Sequence, residues 1–331
     1  MNQKEAASRL KDYKFVAIGG GTGISTMLRG IKKFTENITA IITVADDGGG
    51  SGMIREDLNF LPPGDVRNCI LALANTEALM DKLLCYRFTG GRLKGQSFGN
   101  LFLAAMCGIC GGSFEEAVQR VSDILSVKGR VLPVSNQNVN LGARLSDGTV
   151  VLGESSIPKQ AEAKHQSISE LFLTPAKVAP VADCIKSIQE ADCIILGPGS
   201  LYTSIIPNLL VEGISEEIRK SSAKKIYICN IMTQSGESNG FTAFDHVDAI
   251  LRHAGPGVVG CCVANRMPVP ESMQCKYKIE NAYPVVVDEE KFLEHGIDLV
   301  KADLLDISKG VVRHNYDALA DTILHYCLDT D

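Results

Sequence analysis

The stretch KFVAIGGGTGISTML, residues 14–28, sets the fold of this 331-residue chain. Its first residues, KFVAIG, are a short apolar run that ends in glycine, which predicts a buried strand. A second run that is rich in β-branched residues, ITAIITVA at 38–45, predicts another strand. Between them, apolar side chains recur at helical spacing, at Ile24, Met27, Leu28, Ile31 and Phe34. Strand, helix and strand in this order make a βαβ unit, and such units build parallel sheets.

The same pattern returns in the second half of the chain. ADCIILG (191–197) and KKIYICN (224–230) predict two more strands, and DHVDAILRHAG (245–255) predicts a short helix that a glycine ends. Between the halves, LGARLSDGTVVLGE (141–154) alternates in polarity and holds Asp147-Gly148, a two-residue hairpin signal. We therefore expect an α/β fold in a single domain, 1–331, with a small β-rich insertion at about 130–175.

Composition limits the class of protein. The net charge is −6 and the pI is about 5.6, which argues against a protein that coats nucleic acid. The most apolar run, 101–110, is too short to cross a bilayer, and residues 1–14 lack the apolar core of a secretory signal. Eleven cysteines without regular spacing indicate reduced thiols. We expect a cytoplasmic protein with no membrane span and no nucleic-acid partner.

Glycines follow the first predicted strand at positions 19, 20, 21 and 23. A loop from a parallel strand to a helix lies at the carboxyl edge of the sheet, where the helix N-terminus offers free N–H groups and a partial positive charge. A backbone without Cβ atoms can approach a phosphate closely, and Thr22 can add a hydroxyl. A tight turn with positive φ is the alternative, but one glycine would serve it. The cluster favours a phosphate-bearing ligand.

The spacing fits neither of two common phosphate motifs. Ile24-Ser25 stands where a P-loop needs lysine and then serine or threonine, and the third glycine of the dinucleotide fingerprint is missing. Asp46 and Asp47, which end the second predicted strand, could bond ribose hydroxyls. A second glycine cluster follows them directly, at Gly48, Gly49, Gly50 and Gly52 with Ser51. Two adjacent clusters indicate a ligand that is wrapped by two loops.

Three further segments place polar residues at predicted turns or helix starts. PPGDVRN (62–68) puts Arg67 in the first turn of a helix, where the helix dipole disfavours a cation. A nearby anion would explain this arginine, and a solvated ion pair with Asp65 is the alternative. QSFGNL (96–101) puts Asn100 at another helix start, and GPGSLYTS (197–204) forms a loop after a strand.

Seven motifs occur in one order along the chain: GGGTGIS, VADDGGGSG, PPGDVRN, SFGNL, LGPGSLYTSIIPNLL, ICNIMTQSGES and DHV. In these motifs, from about Lys14 to Asn315, the chain resembles the bacterial YvcK-type family of gluconeogenesis factors. That family is a branch of the CofD-like superfamily, whose named enzyme is 2-phospho-L-lactate transferase. The resemblance implies a Rossmann-like fold with a mainly parallel sheet and helices on both faces, a cytoplasmic location and binding of UDP-sugars such as UDP-N-acetylglucosamine. It also implies a role in carbon metabolism, cell shape and cell-wall synthesis, without an established reaction.

The chain departs from the family pattern near the mouth of the implied site. Gly50 stands where a second serine is usual, Met53-Ile54 replaces the usual Arg-Leu, and Gln96 replaces a frequent histidine. These departures bear on the ligand contacts and not on the fold.

The resemblance, carried over motif by motif, implies a ligand site built from both halves of the chain. Its residues are Gly20, Gly21, Thr22, Gly23, Asp46, Asp47, Ser51, Asp65, Arg67, Asn68, Asn100, Gly199, Ser200, Leu201, Asn230, Tyr277 and Arg313. Asp46 and Asp47 match the acids that the transferase branch uses around its metal, and Mg²⁺ suits such oxygen ligands. Asn230 could read a base or a sugar. Tyr277 and Arg313 could grip uracil and diphosphate, and a packed tyrosine and a surface ion pair are the alternatives.

Three functions remain open at this point. The favoured one is a regulatory protein that binds a UDP-sugar and reports its level to growth or cell-wall synthesis proteins. The second is a Mg²⁺-dependent transferase of the phospholactate type, in which a substrate hydroxyl attacks phosphorus of a nucleotide diphosphate donor. The third is an NAD(P)-binding oxidoreductase, which the missing third glycine weakens. We assign no catalytic residue, and we expect a homo-oligomer.

Overall fold

The computed structural model describes residue 10, residues 12–48 and residues 60–328, and a parallel sheet lies at its centre. The strands are β1 (Phe15–Gly19), β2 (Ile38–Ile42), β3 (Arg130–Pro133), β4 (Asn140–Leu145), β5 (Val150–Leu152), β6 (Ile168–Thr174), β7 (Cys193–Leu196), β8 (Lys224–Ile228), β9 (Cys261–Asn265), β10 (Asp298–Ala302), β11 (Leu305–Asp306) and β12 (Arg313–His314). Seven of them form the main sheet in the order β10-β9-β8-β7-β1-β2-β3. Every neighbouring pair in it is parallel.

The strand order reverses at β1, which pairs with β2 on one side and with β7 on the other. Phe15 is in register with Ile38 of β2 and with Cys193 of β7. The chain leaves β1 toward β2 and leaves β7 toward β8 on the other side, so the direction of the strand order changes between β1 and β7. In open parallel sheets, ligands bind at the carboxyl ends of the strands at such a point. All five residues of β1 are buried, as expected for the middle strand of a sheet with both faces covered.

Helices cover both faces of this sheet. They are α1 (Gly21–Ile31), α2 (Gly64–Leu73), α3 (Ala78–Cys85), α4 (Phe98–Ile109), α5 (Phe114–Ile124), α6 (Ile157–Lys164), α7 (Ala182–Gln189), α8 (Ile206–Leu209), α9 (Ile214–Lys220), α10 (Ala243–Ala254), α11 (Glu271–Ile279), α12 (Glu289–His295) and α13 (Tyr316–Leu328). The architecture is α/β and Rossmann-like, which confirms the predicted fold class.

Local chemistry explains where the predicted helix at 245–255 begins. It starts earlier, at Ala243, because Thr242 accepts a hydrogen bond from the backbone N–H of Asp245. The Asp245 carboxylate in turn accepts one from the N–H of Thr242 at 2.8 Å. This reciprocal pair is a capping box, and Gly255 ends the helix with a φ of +86°.

The β-rich insertion is a separate antiparallel sheet of β5, β4 and β6. The Asp147-Gly148 turn joins β4 to β5, and Gly148 has a φ of +85°. β3, at the start of the interval 130–175, belongs to the main sheet, so the separate sheet begins at Asn140. The predicted interval therefore began too early, because a short apolar strand that pairs with β2 cannot be told from an insertion strand by its own residues.

α13 rests directly on α1. Gly30 of α1 has no room for a Cβ, because the carbonyl oxygen of Tyr316 occupies that space. Lys33, just after α1, forms an ion pair with Asp317 and lies 4.8 Å from the centre of the Tyr316 ring. A close backbone approach and an ion pair therefore fix the two helices together.

Among the described residues, no single helix is long and apolar enough to cross a membrane. One pair, α4 and α5, meets the length and composition test only when the two helices are taken together, and they are bent by 117°.

Candidate functional site

Two glycine loops touch at the carboxyl ends of β1 and β7: the first glycine loop, residues 20–23, and the second glycine loop, residues 197–199. A Cβ on Gly23 would lie 2.5 Å from the carbonyl oxygen of Pro198, and a Cβ on Gly199 would lie 3.1 Å from the carbonyl oxygen of Gly20. Gly21 also has a φ of +71°. These loops therefore need glycine both for turn geometry and for the approach of one backbone to the other.

A cavity of about 490 Å³ opens beside this contact. Eight predicted site residues line it: Gly21, Thr22, Gly23, Gly199, Ser200, Asn230, Tyr277 and Arg313. α1 begins at Gly21, and its N-cap residue, Gly20, has no side chain that could bond to the first turn. The first-turn N–H groups of a helix have no partner within the helix, so this wall of the cavity suits an anion.

The cavity lining also includes an aromatic ring and a cation. The Tyr277 hydroxyl accepts a hydrogen bond from the Val312 N–H at 2.9 Å, and Arg313 Nη1 donates to the Val312 carbonyl at 2.9 Å. Arg313 is exposed, and no carboxylate of the described residues forms an ion pair with it. The guanidinium therefore keeps donors for a ligand, and the aromatic face lies beside it.

Two more side chains shape the cavity near β8. Asn230 Nδ2 donates to the Gly199 carbonyl at 2.8 Å, so this amide nitrogen holds the second glycine loop and leaves the amide oxygen for a ligand. His314 lies 3.1 Å from the Cys229 carbonyl through Nε2. Because a carbonyl only accepts, this nitrogen carries the proton. Burial lowers the pKa of His314 to about 4, so the imidazole is neutral at neutral pH.

Glu237 accepts hydrogen bonds from the loop after β7. Residues Leu201–Ile205 form a turn of π-helix in the segment predicted as a loop, and Ile205 N–H bonds to the Ser200 carbonyl. The Glu237 carboxylate accepts from Tyr202 N–H and from the Thr203 hydroxyl, each at 3.0 Å. π-turns occur often at functional sites, and this one lies between the cavity and a buried carboxylate.

A group of carboxylates lies behind the first glycine loop. Asp65 accepts from the backbone N–H of Gly21, yet burial and the nearby Asp46 raise its pKa to about 6. Burial, followed by the charges of Asp46 and Asp47, raises the pKa of Glu154 to about 8. Asp47 Oδ1 accepts from Ser155 N–H at 2.9 Å, which brings the insertion to the carboxyl edge of the main sheet. These acids repel one another, so a cation or a proton would stabilise the group.

Magnesium suits this group only in part. Oxygen donors are the ligands that Mg²⁺ prefers. Within residues 10, 12–48 and 60–328, however, no three His, Cys, Asp or Glu side chains converge on one metal position. Mg²⁺ is commonly held by one or two carboxylates together with ligand phosphates and water. The acids present fit a magnesium ion that arrives with a diphosphate better than one that is bound by protein alone.

Arg67 lies in a separate polar cluster between α2 and α4. Its Nη1 donates to Ser97 Oγ at 2.5 Å and to Asn100 Oδ1 at 2.8 Å, and its Nη2 donates to Asn68 Oδ1 at 2.8 Å. Burial lowers the pKa of this guanidinium. Asn68 and Asn100 thus both bond to Arg67, and none of the three lines the cavity.

The structure places sixteen of the seventeen predicted residues in four different surroundings. Eight line the cavity. Gly20, Asp46, Asp47 and Asp65 lie with the carboxylates behind it, Arg67, Asn68 and Asn100 form the polar cluster, and Leu201 is buried in the π-turn. Ser51 lies outside the described residues.

Sequence reasoning missed several residues that the fold brings to this site. Glu154 lies in the insertion, and nothing in its own segment points to the main sheet. Glu237 lies in the motif ICNIMTQSGES, and its place in a recognised motif was a signal that could have identified it. A single acid in a loop, however, does not show which groups it bonds. His314 and residues 231–235 also line the cavity. Residues 231–235 come after β8 of the main sheet, whereas His314 lies in β12 of the two-stranded sheet.

Comparison with known proteins places the chain in a family. The sequence profile of 2-phospho-L-lactate transferase CofD matches residues 15–305. The chain is 54% identical over 315 residues to a relative from Thermoanaerobacterium thermosulfurigenes, which covers 95% of this chain and 97% of that one. It is 46% identical over 312 residues to the gluconeogenesis factor of Bacillus subtilis (strain 168), with 94% and 97% covered.

A solved structure agrees with this assignment. The crystal structure of a UPF0052-family protein from Bacillus halodurans has a TM-score of 0.91 and 45% sequence identity, and the match covers 95% of this chain and 99% of that one. The predicted family is therefore confirmed: the chain belongs to the CofD family and is a homologue of the bacterial gluconeogenesis factors.

Proposed function

We propose that this protein binds a nucleotide sugar of the UDP-N-acetylglucosamine type in the cavity of about 490 Å³ and regulates gluconeogenic growth, cell shape and cell-wall synthesis according to its level. The observation that carries the proposal is that one cavity is lined by three kinds of group. They are glycine backbone at the N-terminus of α1, the Tyr277 ring, and the Arg313 guanidinium, which no carboxylate of the described residues pairs with. A nucleoside diphosphate sugar has a charged centre and a flat ring, and both find complementary groups here.

Isothermal titration calorimetry with UDP-N-acetylglucosamine, UDP, GDP and NADH tests the ligand class directly. Under the proposal, UDP-N-acetylglucosamine binds most tightly, and at one hundred times its Kd it stabilises the fold by roughly 2.7 kcal/mol. Tighter binding of NADH, or no binding of any of the four compounds, would contradict it.

Arg313→Ala should weaken UDP-N-acetylglucosamine binding about 10- to 100-fold, because a hydrogen bond to a charged group contributes roughly 1.5–3 kcal/mol. Lys309→Ala is the matched control, since it removes one exposed positive charge from the same segment outside the cavity. Thermal unfolding should be unchanged in both variants. Equal Kd values for the two variants would remove Arg313 from the site.

A transferase remains the second candidate, and two observations favour it. The family profile is that of a transferase, and Asp46, Asp47 and Glu154 lie close enough to raise a pKa. In that reaction a magnesium ion would neutralise diphosphate charge, while Asp46 and Asp47 would hold it and the first glycine loop would orient the phosphates. We assign Asp46 and Asp47 as the residues that would coordinate the metal, and we assign no general base.

Asp46→Asn should remove the Mg²⁺-dependent part of nucleotide binding, measured as the difference between Kd values in Mg²⁺ and in EDTA. Asp147→Asn, in the exposed hairpin turn, is the control and should keep that difference. A new phosphorus-containing product from a nucleotide diphosphate donor and a hydroxy acid, detected by mass spectrometry, would establish the transferase. Binding without any such product would leave the regulatory function.

A further inference from the structure

Glu237 is the most enclosed acid near the cavity, with 4% of its surface exposed. Its Oε2 accepts from the Tyr202 N–H at 3.0 Å, and its Oε1 accepts from the Thr203 hydroxyl at 3.0 Å and from Gln234 Nε2 at 2.9 Å. Three donors on one carboxylate form an arrangement that a neutral side chain cannot reproduce in full.

A relay joins this carboxylate to the cavity. Gln234 accepts a hydrogen bond from the Ser200 hydroxyl at 2.7 Å through its amide oxygen, while its amide nitrogen donates to Glu237. Ser200, Ser204 and Gln234 line the cavity, and Tyr202 and Thr203 lie between the two serines along the chain. The orientation of the Ser200 hydroxyl and the π-turn therefore depend on one buried group.

We propose that Glu237 is a positioning residue for the nucleotide-sugar site, and that its ionised form holds the segment Ser200–Ser204 in the shape that binds ligand. This inference rests on the proposed function for its ligand and on the hydrogen bonds above for its structure. Ligand affinity is then coupled to a proton: binding below neutral pH releases the proton that Glu237 carries.

The surroundings of Glu237 set the direction of this coupling. Glu154 faces it from the insertion and interacts with Thr203, while Glu162 and His165 of α6 line a second cavity beside it. Among the described residues, no cation contributes to the ionisation of Glu237. Burial has the largest effect and raises the pKa of Glu237 to about 7, although the hydrogen bonds from Tyr202 and Thr203 act to lower this pKa. Since a raised pKa favours the neutral acid, the carboxylate forms only as pH rises through about 7.

The test is calorimetry with UDP-N-acetylglucosamine at pH 6 and pH 8 in EDTA, in two buffers of different ionisation enthalpy. Wild-type protein should bind about tenfold more tightly at pH 8 and should release close to one proton per ligand at pH 6. Glu237→Gln should bind weakly at both pH values, with no proton release. Glu162→Gln is the matched control, because it makes the same chemical change at the neighbouring cavity and should keep the wild-type profile.

A second variant guards against misfolding of the first. Gln234→Ala breaks the relay to Ser200 but leaves Glu237 its bonds to Tyr202 and Thr203. It should weaken binding at pH 8 while keeping native thermal unfolding. A tenfold pH effect that persists in Glu237→Gln, or wild-type affinity of that variant at pH 8, would overturn the proposal.

Hydrogen exchange without ligand separates the two proposals. The backbone amides of Tyr202 to Ile205, corrected for intrinsic exchange rates, should be better protected at pH 8 than at pH 6 in wild type and not in Glu237→Gln. If wild-type protein binds no UDP-sugar but shows this protection, the ligand assignment fails and the positioning role stands. If the protection does not change with pH, the positioning role fails whatever the ligand.

Discussion

Gly23 shows how one missing side chain shapes the site. Its Cα faces the carbonyl oxygen of Pro198, and the 2.5 Å left for a Cβ is shorter than any real contact of that kind. The loops after β1 and β7 come from opposite halves of the chain, so this contact joins the halves at the cavity. A glycine here serves close packing of backbone, whereas Gly21 serves a positive φ.

Gly23→Ala should therefore push the two loops apart. We expect the free energy of unfolding to fall by about 1–3 kcal/mol, as for other overpacked sites, and the UDP-sugar Kd to rise. Urea unfolding and calorimetry measure the two effects. Gly108→Ala in α4 is the control, because its Cβ would meet nothing within 4 Å. A helix gains up to about 1 kcal/mol from this change, so equal stabilities of the two variants would contradict the close contact.

At this scale, the sequence indicates the position of a residue best where that residue lies soon after a strand of the main sheet. Ser200 and Asn230 come after β7 and β8, and parallel strands bring their carboxyl ends to one edge. Glu154 and Glu237 could not be predicted, because their roles depend on how the insertion and a long loop fold back. Arg67 was predicted beside an anion or beside Asp65, and it instead bonds Ser97, Asn68 and Asn100.

At the scale of elements, Arg67 joins α2 to α4. Both helices begin without a side-chain cap, and the guanidinium of one reaches Ser97, the N-cap residue of the other. Gly99 permits this approach, since a Cβ there would lie 2.6 Å from Arg67 Cδ. The polar cluster thus fixes the relative position of two helices through side-chain bonds and one glycine.

Arg67→Ala should lower the free energy of unfolding by about 2–3 kcal/mol, because it removes three charge-assisted bonds and leaves buried acceptors without a donor. Arg120→Ala, which removes an exposed arginine of α5 bonded to Glu116 at 3.4 Å, should change it by less than about 1 kcal/mol. Chemical denaturation of both variants makes the comparison. A loss for Arg67→Ala as small as that for Arg120→Ala would show that the cluster is solvated.

At the scale of the whole molecule, the sequence indicated βαβ units and therefore a parallel sheet, but not the strand order. Hydrophobic runs identify buried strands, but they do not show which strands are neighbours in the sheet. The resemblance supplied the Rossmann-like arrangement. β3 and the π-turn at Leu201–Ile205 were not predicted, since a four-residue strand and a single turn have too few residues for a periodic signal.

The buried acids should make overall stability fall as pH rises. The pKa of Glu154 goes from an ordinary 4.5 to about 8 in the fold, so its neutral form is favoured. The stability that this preference contributes is complete below about pH 4.5 and is lost as pH rises through 8. In EDTA, Glu154→Gln should flatten the decline in unfolding free energy between pH 5 and pH 9. Glu116→Gln, on the exposed face of α5, should keep the wild-type decline, and an unchanged decline in Glu154→Gln would show that Glu154 ionises normally.

The packing of α13 against α1 links the end of the chain that the structure describes to the cavity. α1 has eleven residues, and its first turn lines the cavity. Its other end packs against Tyr316, and Lys33 just after it pairs with Asp317. We expect a displacement of α13 to change the orientation of α1 and with it the position of the first glycine loop. A change at α13, far from the cavity, should therefore alter ligand affinity.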